Sequence, residues 1–545
     1  MSGKEIALRL KDEGNALFAK KDFRAAEAKY TEAIRALADP DSNQLAVLYT
    51  NRAACSLNLK KYTEAADDAA RATQIDPSYS KAWARFASAL DGISRPSADH
   101  WQRALSTLPI ENLTAAEMKQ KEQYEAGLEA AKKRAPHSES SFIHVPNAQG
   151  KLPWDRALAM EAELRAAGPS MYASSAWVIK GAYSDFSDGV KTMKSVKRIK
   201  IHGQVGLAGT TNGLQDLTNG ILRDSRVFHM DSADWIQCYN DQFNLEATKR
   251  DAFEVNLDAA ELIQEALKRQ RERGWDNVRP ALSVTIRALI MRGFFDHIQN
   301  VEHSEKNLAK AIEILDWGRK AWKDIPVSEK GSIFEDTFVR GVRNLHLDVY
   351  MQAWQAAGTD GKYTLAALLE EADEIIRDVD LNPLPLDREY DPGFVSSFYI
   401  YPKARALAMK GFYHKQSARS VIADDGSEEV KIKAMKEHIR KAALYYLKAG
   451  STYPDDDENH AWFLFCGVEL LMRCGTPVKE VLPFFARIRL AVPKISRIWE
   501  HSSSAAEGVG KAFQRAQWME EDILKAIAEG RFTLEDKLMP DENWS

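Results

Sequence analysis

Cysteine is scarce in this 545-residue chain: Cys55, Cys238, Cys466 and Cys474 are the four, and they form no CxxC pair and no regular framework. That excludes a disulfide scaffold and a cysteine-built zinc module, and it fits a reducing compartment. Long apolar runs are missing as well. No uncharged apolar stretch reaches roughly 18 residues, so no membrane-spanning helix is expected. The N-terminus, MSGKEIALRLKDEGN, is charged and amphipathic and lacks the apolar centre of a secretory leader. The cytoplasm is the expected location, with the nucleus an open alternative. Positive charge is not in excess either. Lys and Arg total 74 against 79 Asp and Glu, a net charge of -5, which argues against bulk nucleic-acid binding.

The catalytic signatures are equally sparse. The twelve histidines make no HExxH, and neither GxSxG nor a cysteine–histidine signature is present. Val196–Gly213 carries Gly203, Gly206, Gly209 and Gly213 after a possible short strand and before a helix. Their spacing is not GxGxxG and no βαβ alternation surrounds them, so an interhelical loop is expected rather than a phosphate cradle. Gly361-Lys362 and Gly510-Lys511 look like P-loop ends, but Tyr363 and Ala512 stand where Ser or Thr is required. The basic run Lys191, Lys194, Lys197, Arg198 and Lys200 could meet phosphates or an acidic partner; without interleaved aromatics it reads as a solvated face. Asp455-Asp456-Asp457-Glu458 and Asn240-Asp241 could be metal-binding acids, in reversed order for a terpene-synthase pair; Pro454 followed by acids also fits an ordinary helix start. No catalytic residue, metal ligand or cofactor is expected.

What is present is repetition. Residues 7–38 read as a helical pair with Gly14, Ala26, Tyr30 and Ala33 at spacings of 12, 4 and 3. Ala53, Ala65 and Ala72 repeat the theme before Asp76-Pro77, and a third unit from Lys81 shows Ala87, Ala98 and Leu105. Small residues at these points let two helices approach closely, with Tyr30 and Tyr62 filling the gaps, and Pro77 ends one pair. Ala38–Asn43 lengthens the first connection. Gly92–Pro96 replaces a tight turn in the third unit, the poorest match. Residues 114–134 form a polar amphipathic helix fit to cap such a stack.

Stacked pairs form a concave groove lined by the first helix of each pair, and residues four apart share a helix face. Lys11 and Asn15 project together from the first pair, Asn51 from the second, and Lys81 and Arg85 from the third. Cations can pair with carboxylates, and amides can donate to them without adding charge. These five residues therefore suit a chain end finishing in an acidic residue. The period resembles the tetratricopeptide repeat. Lys11–Asn15, Asn51-Arg52-Ala53 and Lys81-Ala82-Trp83-Ala84-Arg85 closely resemble the carboxylate-clamp signature of co-chaperone tetratricopeptide domains. That resemblance, covering about one fifth of the chain, implies the Glu-Glu-Val-Asp tail of cytosolic heat-shock chaperones as ligand. Spacing alone implies only a carboxylate-rich chain end.

Residues 135–155 are rich in Pro, Ser, Gly and Asn and read as a linker. Beyond it, apolar residues recur at three and four in 156–166, 173–193, 254–270, 279–298, 304–323, 331–356, 363–379, 395–418, 428–449, 457–474 and 478–490. Ala442, Tyr446, Ala449 and Pro454 match the second half of a tetratricopeptide unit, while Asn382–Gly393, with three prolines, breaks the array. The tryptophans of this region read as core.

The expected fold is all-α: a tetratricopeptide domain with capping helix at 1–134, a linker at 135–155, and a larger helical-repeat domain at 156–545. The expected function is a chaperone-binding adaptor whose second domain holds an unidentified protein client, with neither nucleic acid nor membrane as partner. The alternatives are a helical enzyme or ligand-binding domain targeted to chaperones, and a scaffold for some other acidic chain end. The chain's own last residues, Asp541-Glu542-Asn543-Trp544-Ser545, finish in serine and are expected to be a poor ligand for the clamp.

Overall fold

The computed structural model describes residues 3–37, 43–92, 97–109, 114–133, 150–201, 204–296, 300–358, 361–385, 389–420 and 428–539. Helices dominate, and the chain divides into two units, Met1–His144 and Val145–Ser545. Most of the expected linker, 135–149, lies outside the described residues, as do the third-repeat turn at 93–96 and most of the Ala38–Asn43 insertion.

The first unit holds α1 (Gly3–Ala19), α2 (Phe23–Ala36), α3 (Asn43–Asn58), α4 (Tyr62–Ile75), α5 (Ser80–Gly92), α6 (Ala98–Ser106) and α7 (Ala115–Lys133). Each helix packs on the next, and α3 also touches α5, so first helices of successive pairs adjoin. The turns after α1 and α3 repeat one device: Lys21 and Lys60 both take left-handed backbone angles, reversing the chain within three residues. Gly14 shows why the small positions are small. A Cβ there would stand 2.7 Å from the Tyr30 ring, which is itself buried between α1 and α2. The capping helix α7 starts with a reciprocal cap, in which the Glu117 carboxylate accepts from the Thr114 amide at 2.8 Å and the Thr114 hydroxyl accepts from the Glu117 amide at 3.3 Å.

The second unit opens with α8 (Pro153–Ala159) and α9 (Glu161–Ala167), which divide the expected 156–166 helix at Met160, and α10 (Ser175–Lys194). A hairpin, β1 (Lys197–Ile201) and β2 (Gln204–Ala208), precedes α11 (Gly213–Arg223) and α12 (Trp235–Lys249). An array of longer helices follows: α13 (Ala259–Arg273), α14 (Trp275–Asp296), α15 (Val301–Ala321), α16 (Val327–Lys330), α17 (Asp336–Ala357) and α18 (Leu365–Leu381). The array ends with α19 (Pro392–Val395), α20 (Tyr401–Ser420), α21 (Glu428–Thr452), α22 (Glu458–Arg473), α23 (Val478–Trp499), α24 (Ser503–Ala506) and α25 (Val509–Ala528). Neighbours pack in sequence along much of this array, as α14 on α15, α15 on α17, α17 on α18, and α20 to α23 in turn. Among the described residues the chain is thus all-α apart from the hairpin, which corrects the expected loop at 196–213. It pairs antiparallel from Lys197 opposite Ala208 to Ile201 opposite Gln204.

Three helices longer than ten residues escaped the periodicity, α11, α12 and α25, and α23, which contains Pro483 and Pro493, runs past its expected end at 490. Both prolines sit on its exposed side, where an interior proline is least disruptive. The second unit also closes on itself. α8 packs against both α10 and α23, and one hydrophobic cluster runs from Trp154 to Ile523.

Candidate peptide-carboxylate site

On α1, Ala7, Leu10 and Gly14 face the core, which turns Lys11 and Asn15, one turn apart, toward solvent. The Asn15 amide is held in place. Its Oδ1 accepts from the Tyr30 hydroxyl at 2.8 Å and from Asn51 Nδ2 of α3 at 3.3 Å. With the oxygen occupied, the Asn15 NH2 and the second Asn51 N–H are left to donate to a ligand.

One turn beyond Asn51, Cys55 is fully buried, and burial pushes its thiol up to about 12 against the opposing field of Lys61 and of Arg85. Arg85 is carried by α5, which packs on α3. Lys81 lies one turn before it on α5, exposed. Burial lowers the Arg85 pKa, and only Tyr124, Tyr79 and the Cys55 thiol oppose that shift. Among the described residues, Lys11, Lys81 and Arg85 make no ion pair. Their neighbours do: Lys29 meets Glu13 at 3.0 Å and Lys61 meets Glu27 at 2.8 Å.

Arg52, inside the Asn-Arg-Ala triplet, has a different task. It donates two bonds of 2.8 Å to the buried Asp68 carboxylate and one of 3.1 Å to the Thr31 hydroxyl, tying α3 to α4 and α2. Sequence reasoning missed Tyr79 and Tyr124 as neighbours of Arg85. Tyr124 lies on the capping helix, 3% exposed, and its hydroxyl meets Ser80. Its signal was a lone large aromatic in an otherwise polar helix.

The structure therefore joins Asn15 directly to Asn51 and packs the helix of Arg85 on that of Asn51, with Lys11 and Lys81 one turn from Asn15 and Arg85 on their own helices. Relatives carry the same kind of unit. Human protein unc-45 homolog B is 42% identical over 89 residues, which are 16% of this chain and 9% of that protein. The heat shock protein sti1 homolog of Schizosaccharomyces pombe is 39% identical over 88 residues, 16% of this chain and 14% of its own. Human tetratricopeptide repeat protein 4 is 44% identical over 87 residues, 16% and 22% respectively. The first unit is a tetratricopeptide-repeat domain. The chain spans less than a quarter of the length of each of these three relatives. No family model matches the chain.

The remaining sequence candidates lie outside the tetratricopeptide domain, and the acids and Gly213 among them find structural partners. Asp457 caps α22, and with Glu458 it surrounds the Arg226 guanidinium; Asp456 accepts from the Ser175 amide at 2.7 Å. Asp456, Asp457 and Glu458 are thus a buried joint between α10, α22 and the 225–227 turn, while Asp455 stays at the surface beside Lys494. Asp241 is bound by Arg198 through two bonds of 2.9 Å. Gly213 abuts Gln242, where a Cβ would stand 2.8 Å away. Among the described residues no group of three or more His, Cys, Asp or Glu is placed to hold a metal ion, and no helix is long and apolar enough to cross a membrane.

Proposed function

We propose that this protein is a cytoplasmic co-chaperone adaptor. Its tetratricopeptide domain grips the acidic C-terminal tail of a cytosolic heat-shock chaperone with Lys11, Asn15, Asn51, Lys81 and Arg85, and its second unit holds a protein client on a broad helical surface. The observation that carries this reading is Arg85: a guanidinium stripped of much of its water, with no carboxylate paired to it among the described residues. A desolvated cation is costly unless paired, and a terminal carboxylate supplies the missing partner. The oriented Asn15–Asn51 pair adds donors without charge. The heat-shock and tetratricopeptide names of the relatives point the same way.

Bonds to a charged group contribute about 1.5–3 kcal/mol each. A few of them, less ordering costs, give micromolar affinity, about -8 kcal/mol. Titration calorimetry of the full chain with a peptide ending Glu-Glu-Val-Asp tests this. Binding should weaken with salt, because part of the contact is exposed charge. Amidating the peptide's C-terminal carboxylate should weaken it by at least about tenfold, as should Lys81→Glu combined with Arg85→Glu. Equal binding of the free and amidated peptides rejects the clamp.

A further inference from the structure

The hairpin of the second unit plays no part in the reading above, and it is unusual in an otherwise helical chain. Two strands alone are marginal in water. Here α12 holds them: β2 packs on that helix, Lys249 of α12 donates to the Gly209 carbonyl at 2.9 Å, and Arg198 of β1 makes its two bonds to Asp241 of the same helix. The result is an ordered hairpin whose β1 pairs on one side with β2 and, among the described residues, with no strand on the other.

Lys197, Arg198, Ile199 and Lys200 are all exposed along this strand, Ile199 by 37%. Lys191 and Lys194, at the end of α10, are neutralised by Asp188 at 2.9 Å and Asp231 at 2.6 Å. Lys197 and Lys200 make no ion pair among the described residues. We propose that β1 is an acceptor edge for an extended, acidic segment of a partner protein, which adds to the hairpin as a third strand.

The chemistry selects the occupant. An open edge presents backbone N–H and C=O groups that any extended chain can pair, so side chains decide which chain is accepted. Lysines along an edge repel a second basic copy of themselves, which guards against self-association. Side chains alternate along β1, so Arg198 and Lys200 share one face of the edge and Lys197 and Ile199 the other; carboxylates at alternate positions of an incoming strand meet Lys200 on the first face, and the apolar residues between them meet Ile199 on the second. Because α12 has already ordered the edge, little of the hairpin must be fixed on binding.

The test is fluorescence anisotropy on the full chain. The probe is a peptide of about eight residues alternating Glu and Val, labelled at its N-terminus and amidated at its C-terminus so that the tetratricopeptide clamp does not read it. It should bind. Lys197→Glu with Lys200→Glu should weaken it about tenfold, and a peptide with Lys in place of Glu should not bind. N-methylating the backbone amides on the peptide's pairing edge should also weaken it about tenfold, and this arm leaves the protein untouched. Equal binding of the methylated peptide, or displacement of the probe by a short oligothymidylate, overturns the proposal. So does concentration-dependent dimerisation in the ultracentrifuge that the double variant abolishes.

Discussion

Two arginines, one in each unit, are lifted out of water into opposite surroundings. Arg226 sits among three carboxylates, with Asp224 at 2.7 Å, Asp457 at 2.8 Å and Glu458 at 3.1 Å, and its guanidinium lies 3.7 Å from the centre of the Trp499 ring. Its pKa rises well above the ordinary value as those charges overcome burial. Arg85 is also desolvated, but its pKa falls, because tyrosines and a thiol stand where carboxylates would. Arg287 is an instructive intermediate. Fully buried and without a carboxylate contact, it is lowered to about 10, yet it donates to the Gln215 carbonyl at 3.1 Å and to Asn219 Oδ1 at 2.9 Å. Burial alone therefore does not mark a binding residue. What sets Arg85 apart is partial burial without a built-in acceptor among the described residues.

The largest effect that could break this comparison is Arg226→Met. It strands three carboxylates in a buried joint, and removing one partner of a buried ion network costs about 3–5 kcal/mol. Urea unfolding should show that loss in the transition of the second unit, while affinity for the Glu-Glu-Val-Asp peptide stays unchanged. Arg85→Met should do the reverse. Unfolding stability should hold or rise by up to about 1 kcal/mol, because a desolvated unpaired charge is gone. Peptide affinity should fall by about 1.5–3 kcal/mol, roughly tenfold to a hundredfold. If Arg85→Met unfolds the protein and spares binding, the two arginines have the same role and the contrast is void.

His346 sharpens the second unit's side of the comparison. Its Nδ1 contacts Glu371 at 2.8 Å, and Glu305 lies 3.6 Å from Nε2; despite burial these acids raise its pKa from 6.5 to about 9. A raised folded-state pKa means that the contribution is complete below pH 6.5 and is lost as pH rises through 9. Stability should fall across that window with a slope of at most about 1.4 kcal/mol per pH unit. His346→Gln should flatten that part of the pH profile in thermal melts. An unchanged slope shows that this pair does not carry the dependence.

The face proposed to hold a chain end could be drawn from the sequence because helical periodicity alone puts Lys11 with Asn15 and Lys81 with Arg85. The packing behind it was half legible. Gly14 and Tyr30 announced a close approach, but nothing in the spacing said that Tyr30 would also bond the Asn15 amide. Tyr124, which lends its field to Arg85, was hidden because it comes from a helix that reads as solvated. In the second unit the charges misled most. Asp455–Glu458 looks like a surface run, yet Asp456, Asp457 and Glu458 are buried, and the residues that explain them, Ser174, Ser175 and Arg226, lie more than two hundred positions away. The contact of α8 with α23 is of the same kind: no local pattern encodes a meeting of chain segments so far apart.

The smallest prediction concerns orientation rather than charge. Tyr30→Phe keeps the ring that fills the space beside Gly14, so packing of α1 on α2 should survive, and only the hydroxyl is lost. Asn15 Oδ1 still accepts from Asn51, so no buried group is orphaned, and the effect should be that of one neutral hydrogen bond, about 0.5–1.5 kcal/mol. A loosened Asn15 amide should weaken the free-acid peptide roughly two- to tenfold in calorimetry. The amidated peptide, which offers no terminal carboxylate for that amide, should bind the variant and the parent alike. If both peptides weaken equally, Tyr30 acts through the fold of the domain, and the orienting role assigned to its hydroxyl is wrong.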